Sequence, residues 1–281
     1  MRLRLSAAIA LASLAIAKPV ESQTVPPPAP PQLSYADLAD LVLAAPVVVH
    51  LRVRGADTLD AVEAPNVAPG FRRFLVEAEV VALIRGDGGL APQISYLVDL
   101  ANDSRGHSAR PRRRDEVLVL ARRVPNRPAE LRLAAPDAQL PYTPATAERL
   151  RAILRDSSAA GAPQRITGIG RAFYVPGSLP GESETQIFLQ TSDSRPISLS
   201  ILRRPGERPR WLVALSEIVD EAAAPPAPDT LLWYRLACTL PPRLPPQSLS
   251  EASADEAQAI QADYRVVMDG LGTCARTRVP R

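Results

Sequence analysis

Lysine is all but absent from this 281-residue chain, histidine and cysteine occur twice each, and aromatic residues make up only 4%. Each scarcity removes a function class. Two cysteines and two histidines, with no Cys-x-x-Cys and no His-x-x-x-His, cannot build a four-ligand structural zinc site of the usual spacing. Few aromatics argue against a saccharide cleft, which needs flat platforms. There is no Gly-x-Ser-x-Gly elbow, "GSLPG" at 177–181 having the wrong spacing, and no Walker loop or HExxH. "GIG" at 168–170 is too short for a dinucleotide fingerprint and reads as a bulge in a strand. No cofactor or metal is expected. "RGD" at 85–87 continues into Gly88 and Gly89 and reads as a turn.

What is present begins with "MRLRLSAAIALASLAIAKPVESQ". Two arginines precede an apolar run from Leu5 to Ala17, which ends in the small-residue pattern Ala15-Ile16-Ala17. That is a secretory signal peptide, cleaved after Ala17 or nearer Ser22. The run has 13 residues, short of the roughly 20 that span a bilayer. No cysteine stands near the cleavage site to carry a lipid. The expectation is a periplasmic or secreted protein without a transmembrane segment in its mature chain. The formal net charge is +3, and Arg2 and Arg4 leave with the leader, so 31 basic residues face 30 acidic ones. Such a balance excludes a general nucleic-acid surface. In an oxidising compartment Cys238 and Cys274 are expected to form one disulfide, the alternative being two separate buried thiols.

Thirty prolines cluster as "VPPPAPP" (25–31), "APPAP" (224–228) and "LPPRLPP" (240–246). The first reads as a linker and the others as stiff loops. Ser34 and Asp37 make an acidic variant of a capping box, ahead of a helix whose Leu38, Leu41, Val42 and Ala45 share one face and which Pro46 stops. "VVVHLRVRG" alternates, with Val47, Val49, Leu51 and Val53 inward and His50 on the polar face, so His50 reads as a solvated strand histidine. Strands follow at 73–86, with Glu77 and Glu79 outward, at 94–100 and at 115–124. Thr143-Pro144 opens a helix carrying Leu150, Ile153 and Leu154.

Between two of these strands lies "RGHSARPRRRDE" (105–116), in which Arg105, His107, Arg110, Arg112, Arg113 and Arg114 concentrate the positive charge. Its Gly106 and Pro111 make it a loop. Like charges repel and stay mobile, so one reading is a solvated hairpin tip. The other is a site for an anionic partner: a glycan, a phospholipid headgroup or a polyanion.

The second half offers strand-like runs at 166–175, 185–191, 196–202, 211–219 and 231–239, which place Trp211 and Trp233 in core strands. It closes in a helix capped by Ser253 and Glu256, with Ile260, Tyr264, Val267, Met268 and Leu271 in phase and Gly270 placed to stop it. A Ser/His/Asp triad would have to use His50 or His107, and His107 with Asp103, Ser104 or Ser108 is too local for the usual geometry. Glu77 and Glu79 could act as a carboxylate pair only if a cleft faced them.

From Leu38 to Leu154 the order "LADLVLAAPVVVHLRV", "FLVEAEVVALIRGD", "ISYLVDL", "DEVLVLARRV", "LRLAAPDAQLPYTPATAERLRAIL" resembles the netrin-like domain of the tissue inhibitors of metalloproteases, an OB-type β-barrel. The resemblance implies a barrel. It carries no inhibitory activity, because that family chelates zinc through an N-terminal cysteine and this segment has none.

The expected protein is mostly β with short helices. A signal peptide (1–22) and a Pro-rich linker (23–33) precede an OB-like barrel (34–155), a second linker (156–164), and a second β-sandwich or barrel-like domain with a C-terminal helix (165–281). It reads as a binding or structural module of the cell envelope, partnered by an envelope protein or an anionic surface component, and not as an enzyme. The alternatives are a secreted hydrolase with an unrecognised site and anionic-surface binding through the 105–114 loop.

Overall fold

The structure, a computed structural model, describes residues 33–60, 62–195, 197–215 and 224–278. The expected signal peptide and the linker up to residue 32 lie outside the described residues, as do Pro196 and the 216–219 end of the strand expected from Trp211. No helix among the described residues is long and apolar enough to cross a membrane.

The first half is a closed β-barrel. Helix α1 (Tyr35–Ala44) begins at the expected capping box, Ser34 Oγ accepting from the Asp37 amide while the Asp37 carboxylate takes the Ser34 amide. Six strands follow: β1 (Val47–Thr58), β2 (Phe71–Arg85), β3 (Gln93–Ala101), β4 (Glu116–Val124), β5 (Arg127–Leu133) and the short β6 (Gln139–Pro141). β1 pairs with both β2 and β4, β2 with β3, and β4 with β5, all antiparallel. A parallel contact between β3 and β5 closes the barrel through only two residue pairs, Ser95 with Glu130 and Tyr96 with Leu131. β6 pairs with the first half of β4. Period-2 alternation fills the interior with Val49, Leu51, Val53, Val76, Tyr96 and Val119.

The alternation breaks where a second layer covers the barrel. Val47 to Leu51 are buried on both faces, as are Val117 to Ala121. The outward-facing Val48, Leu118 and Leu120 pack under α1 and under α2 (Pro144–Ser158), which Thr143 caps. Strands buried on both sides read as continuous apolar runs, hence "VVVHL" and "VLVLA".

In the second half β7 (Ile166–Pro176), β8 (Ser183–Thr191), β9 (Ile197–Arg203) and β10 (Arg210–Ala214) form one open antiparallel meander. β7 carries register shifts around Gly168 and Ile169, as the "GIG" reading expects. Helices, not a second sheet, cover its apolar face: α3 (Leu231–Ala237) and α4 (Ala254–Leu271), with a 3-10 turn at Pro246–Leu249 between them. One cluster of buried side chains runs from α1 and α2 through Ile187, Leu199 and Trp211 to Tyr264 and Val267. Residues from Leu33 onward form one compact unit.

Two expectations are overturned here. The strand expected at 231–239 is α3. Asp229 takes a left-handed φ of 58°, and the Thr230 hydroxyl accepts from the Trp233 amide, which starts a helix. A seven-residue apolar run does not distinguish the two by periodicity. Trp233 is still core, and its indole N–H donates to the Leu271 carbonyl at 2.8 Å. Gly270 does not stop α4, which runs to Leu271 and ends at Gly272 with φ 68° and ψ −167°. Gly270 instead leaves room for Trp211, whose Nε1 would lie 2.5 Å from an added Cβ.

The cysteines form the expected disulfide, with Cα atoms 5.1 Å apart. Cys238 caps α3 instead of ending a strand, so the bond ties α3 to the segment after α4.

Candidate binding groove

The arginine-rich segment leaves β3 as two successive tight turns. Asp103 Oδ1 accepts the amides of Arg105 and His107 at 2.8 and 2.9 Å, Gly106 takes φ 80°, and Ser108 bridges back to Asn102. In the second turn Asp115 Oδ2 accepts the Arg112 amide at 2.7 Å, and Arg114 has φ 76°. The Arg114 amide donates to the Val53 carbonyl and the Val53 amide to the Asp115 carbonyl, each at 2.8 Å. Pro111 is buried. These main-chain bonds fasten the segment to β1 at Val53, while its arginine side chains remain exposed.

The arginines are exposed but differ in their partners. Arg110 donates to the Ala56 carbonyl and lies 3.3 Å from Asp57 Oδ1. Arg112 and Arg113 have no carboxylate partner among the described residues. Arg105 and Arg114 are held by their main chain and likewise pair with no acid there. His107 projects into solvent, 3.9 Å from Asp103.

Arg110, Arg112 and Arg113 line a groove of about 1180 Å³ at the mouth of the barrel. Ala56, Leu100 and Val117, all packed in or against the barrel core, form its apolar side. Gln139 and Pro141 of β6 flank it, and Gln139 Oε1 accepts from the Tyr96 hydroxyl at 2.7 Å. Burial drives the Tyr96 hydroxyl well above its ordinary pKa, so it stays a donor. The acids of the groove are already engaged: Asp115 with the Arg112 amide, and Glu116 with Arg52 and His50.

His50 is not the solvated histidine that alternation predicts. It is 6% exposed, and its ring lies flat on Tyr142 with centroids 3.7 Å apart and planes 5° from parallel. Its Nε2 sits 3.2 Å from Glu116 Oε2, while Arg52, directly opposite Glu116 in the ladder, donates at 3.0 Å to Oε1. The bond from Arg52 and the neighbouring His50 hold the Glu116 carboxyl below its ordinary pKa. The chain leading into α2 covers this face of β1, which no pattern within β1 reveals.

The two histidines are not brought together. His50 touches Glu116 and Tyr142, whereas His107 pairs with Asp103 alone among the described residues, and neither lines the groove. Glu77 and Glu79 stand on the exposed face of β2. Among the described residues no group of three or more His, Cys, Asp or Glu could hold a metal ion. Arg85 of the "RGD" tripeptide donates to the Val42 carbonyl at 3.2 Å and so braces α1.

Sequence reasoning missed the groove, which needs β3 and β6 to lie on either side of it. Compared with protein families and with curated proteins, the chain matches none.

Proposed function

We propose that the chain is an exported binding module of the cell envelope, and that the barrel mouth is where it takes an anionic partner. The observation that carries this reading is the charge of Arg112 and Arg113, which meet no carboxylate among the described residues, beside an apolar-sided groove whose Glu116 is already paired with Arg52 and His50. Export rests on the N-terminal leader pattern, and the Cys238–Cys274 disulfide fits an oxidising compartment. The barrel is read as OB-like from its strand order. The netrin-like likeness of Leu38–Leu154 rests on element order alone, and no inhibitory role is carried over from it.

The test is titration of the wild-type protein and of an Arg112→Ser/Arg113→Ser variant with polyglutamate, a heparin fragment and anionic vesicles, each at low and high salt. At least one anion should bind the wild type, more weakly as salt rises, and should lose about tenfold or more in affinity in the variant. Equal binding by both proteins, or none by either, overturns the reading.

A further inference from the structure

We propose that the barrel mouth is a strand-addition site, in which an extended acidic peptide lies against the open edge of β3 with its carboxylates on Arg112 and Arg113. The proposal rests on the anionic-partner reading and names the partner's chemistry.

The first observation is an incomplete ladder. β3 pairs with β2 along its whole length, Gln93 to Ala101. On its other side only Ser95 and Tyr96 are paired, with β5. Among the described residues no strand pairs with Leu97 to Leu100 on that side. The row that β5 begins alongside β4 is continued by β6, which pairs with Val117 to Val119 and ends the sheet order with its second edge open. Past Tyr96, the Tyr96–Gln139 side-chain bond joins β3 to β6, and the groove opens where β3 presents Leu100 and β6 presents Gln139 and Pro141. Four residues of strand cover about 13 Å at roughly 3.3 Å each.

An open edge is a template for another chain, and natural folds blunt it with charge, proline or a covering segment. β6 carries proline at Pro141, one blunting device. Along Leu97 to Leu100 the one charged residue is Asp99, and Arg73 of β2 neutralises it through two bonds of 2.7 and 2.8 Å. The β3 edge thus stays open to addition, while the β6 edge is disfavoured.

Size and charge select the occupant. A volume of about 1180 Å³ exceeds the roughly 300–1,000 Å³ of small-ligand pockets. Ala56, Leu100 and Val117 suit alternate apolar side chains of a strand, and Arg112 and Arg113 suit intervening acids. A sulfated glycan or a lipid headgroup meets the arginines but offers no main chain to the β3 edge.

The experiment uses a short fluorescent peptide of alternating Asp and Val, the same peptide N-methylated at alternate amides on either edge, a heparin fragment and phosphatidylglycerol vesicles. Expected are binding of the parent peptide, loss of about tenfold or more when one edge is methylated, and a similar loss in the Arg112→Ser/Arg113→Ser variant. Hydrogen exchange should slow on binding at the alternate amides of Leu97–Leu100 that point away from β2, a readout that separates edge pairing from charge attraction. Peptide binding indifferent to methylation, or without added protection there, overturns strand addition. Heparin or vesicles binding where the peptide does not overturns strand addition but leaves the anionic reading standing. No binding of any probe removes both.

Discussion

Asp37, in the first turn of α1, accepts both the amide and the hydroxyl of Thr277, at 2.8 and 2.6 Å across 240 residues of chain. It also serves the Ser34 cap and the Arg278 amide. Burial pushes this carboxyl up, but the hydrogen bonds from Thr277, Ser34 and Arg278 outweigh it and hold the pKa below its ordinary value. A depressed folded pKa contributes stability that is fully present above the unfolded value of roughly 3.9. That contribution is lost as pH falls through the lower folded value. Asp37→Ala should cost about 2–3 kcal/mol at neutral pH. In thermal melts the gap between wild type and variant should narrow as the solution is acidified through and below pH ~4. A gap independent of pH would show that the carboxylate is not what α1 requires.

Gly270→Ala should destabilise, although alanine favours a helix by about 1 kcal/mol. Its Cβ would meet Trp211 Nε1 at 2.5 Å and two ring carbons at 3.0 and 3.1 Å. Overpacking of this kind costs about 1–3 kcal/mol. Gly272→Ala should cost a similar amount by a different route, since its surroundings are empty but its backbone lies in a region essentially confined to glycine. Adding Trp211→Leu should relieve the first substitution and not the second, as urea unfolding of the double variants would reveal.

The stack of His50 on Tyr142 should depend on the ring and not on the hydroxyl. Tyr142→Phe is expected within about 0.5 kcal/mol of wild type. A double-mutant cycle of His50→Ala with Tyr142→Ala should return about 0.5–1.5 kcal/mol of coupling. Additive losses would mean that the rings merely share a place.

Reducing the Cys238–Cys274 bond, which spans 36 residues, should cost about 2–4 kcal/mol. The bond also precedes the segment in which Arg276 pairs with Asp40 and Arg278 with Asp137. Reduction should therefore speed proteolysis around residues 275–278 before the barrel is touched. Simultaneous loss of both would contradict this order.

Local patterns were legible and layered ones were not. The capping boxes at Ser34 and Ser253 and the alternation in β2 need only neighbours in sequence, and both are where the residues place them. His50 misled because alternation reports one sheet and not the helical layer laid over it. Leu231–Ala237 misled because a short apolar run fits strand and helix alike. For the candidate groove, the arginines were visible but their neighbours were not. That β3 meets β5 over two residues and then stands open is a fact of pairing between distant segments, and composition carries no trace of it.

The hold of residues 276–278 on α1 also bears on how the molecule is made. A nascent chain that has reached α2 already contains every barrel strand, yet α1 lacks its Thr277 and Arg278 partners. The outer layer over β1 and β4 shares its core with α4. That apolar layer stays unfinished until the ribosome has added more than a hundred further residues beyond α2. The outer layer can therefore be completed only once residues 277 and 278 are present, so a chain truncated after α2 should leave that apolar layer exposed.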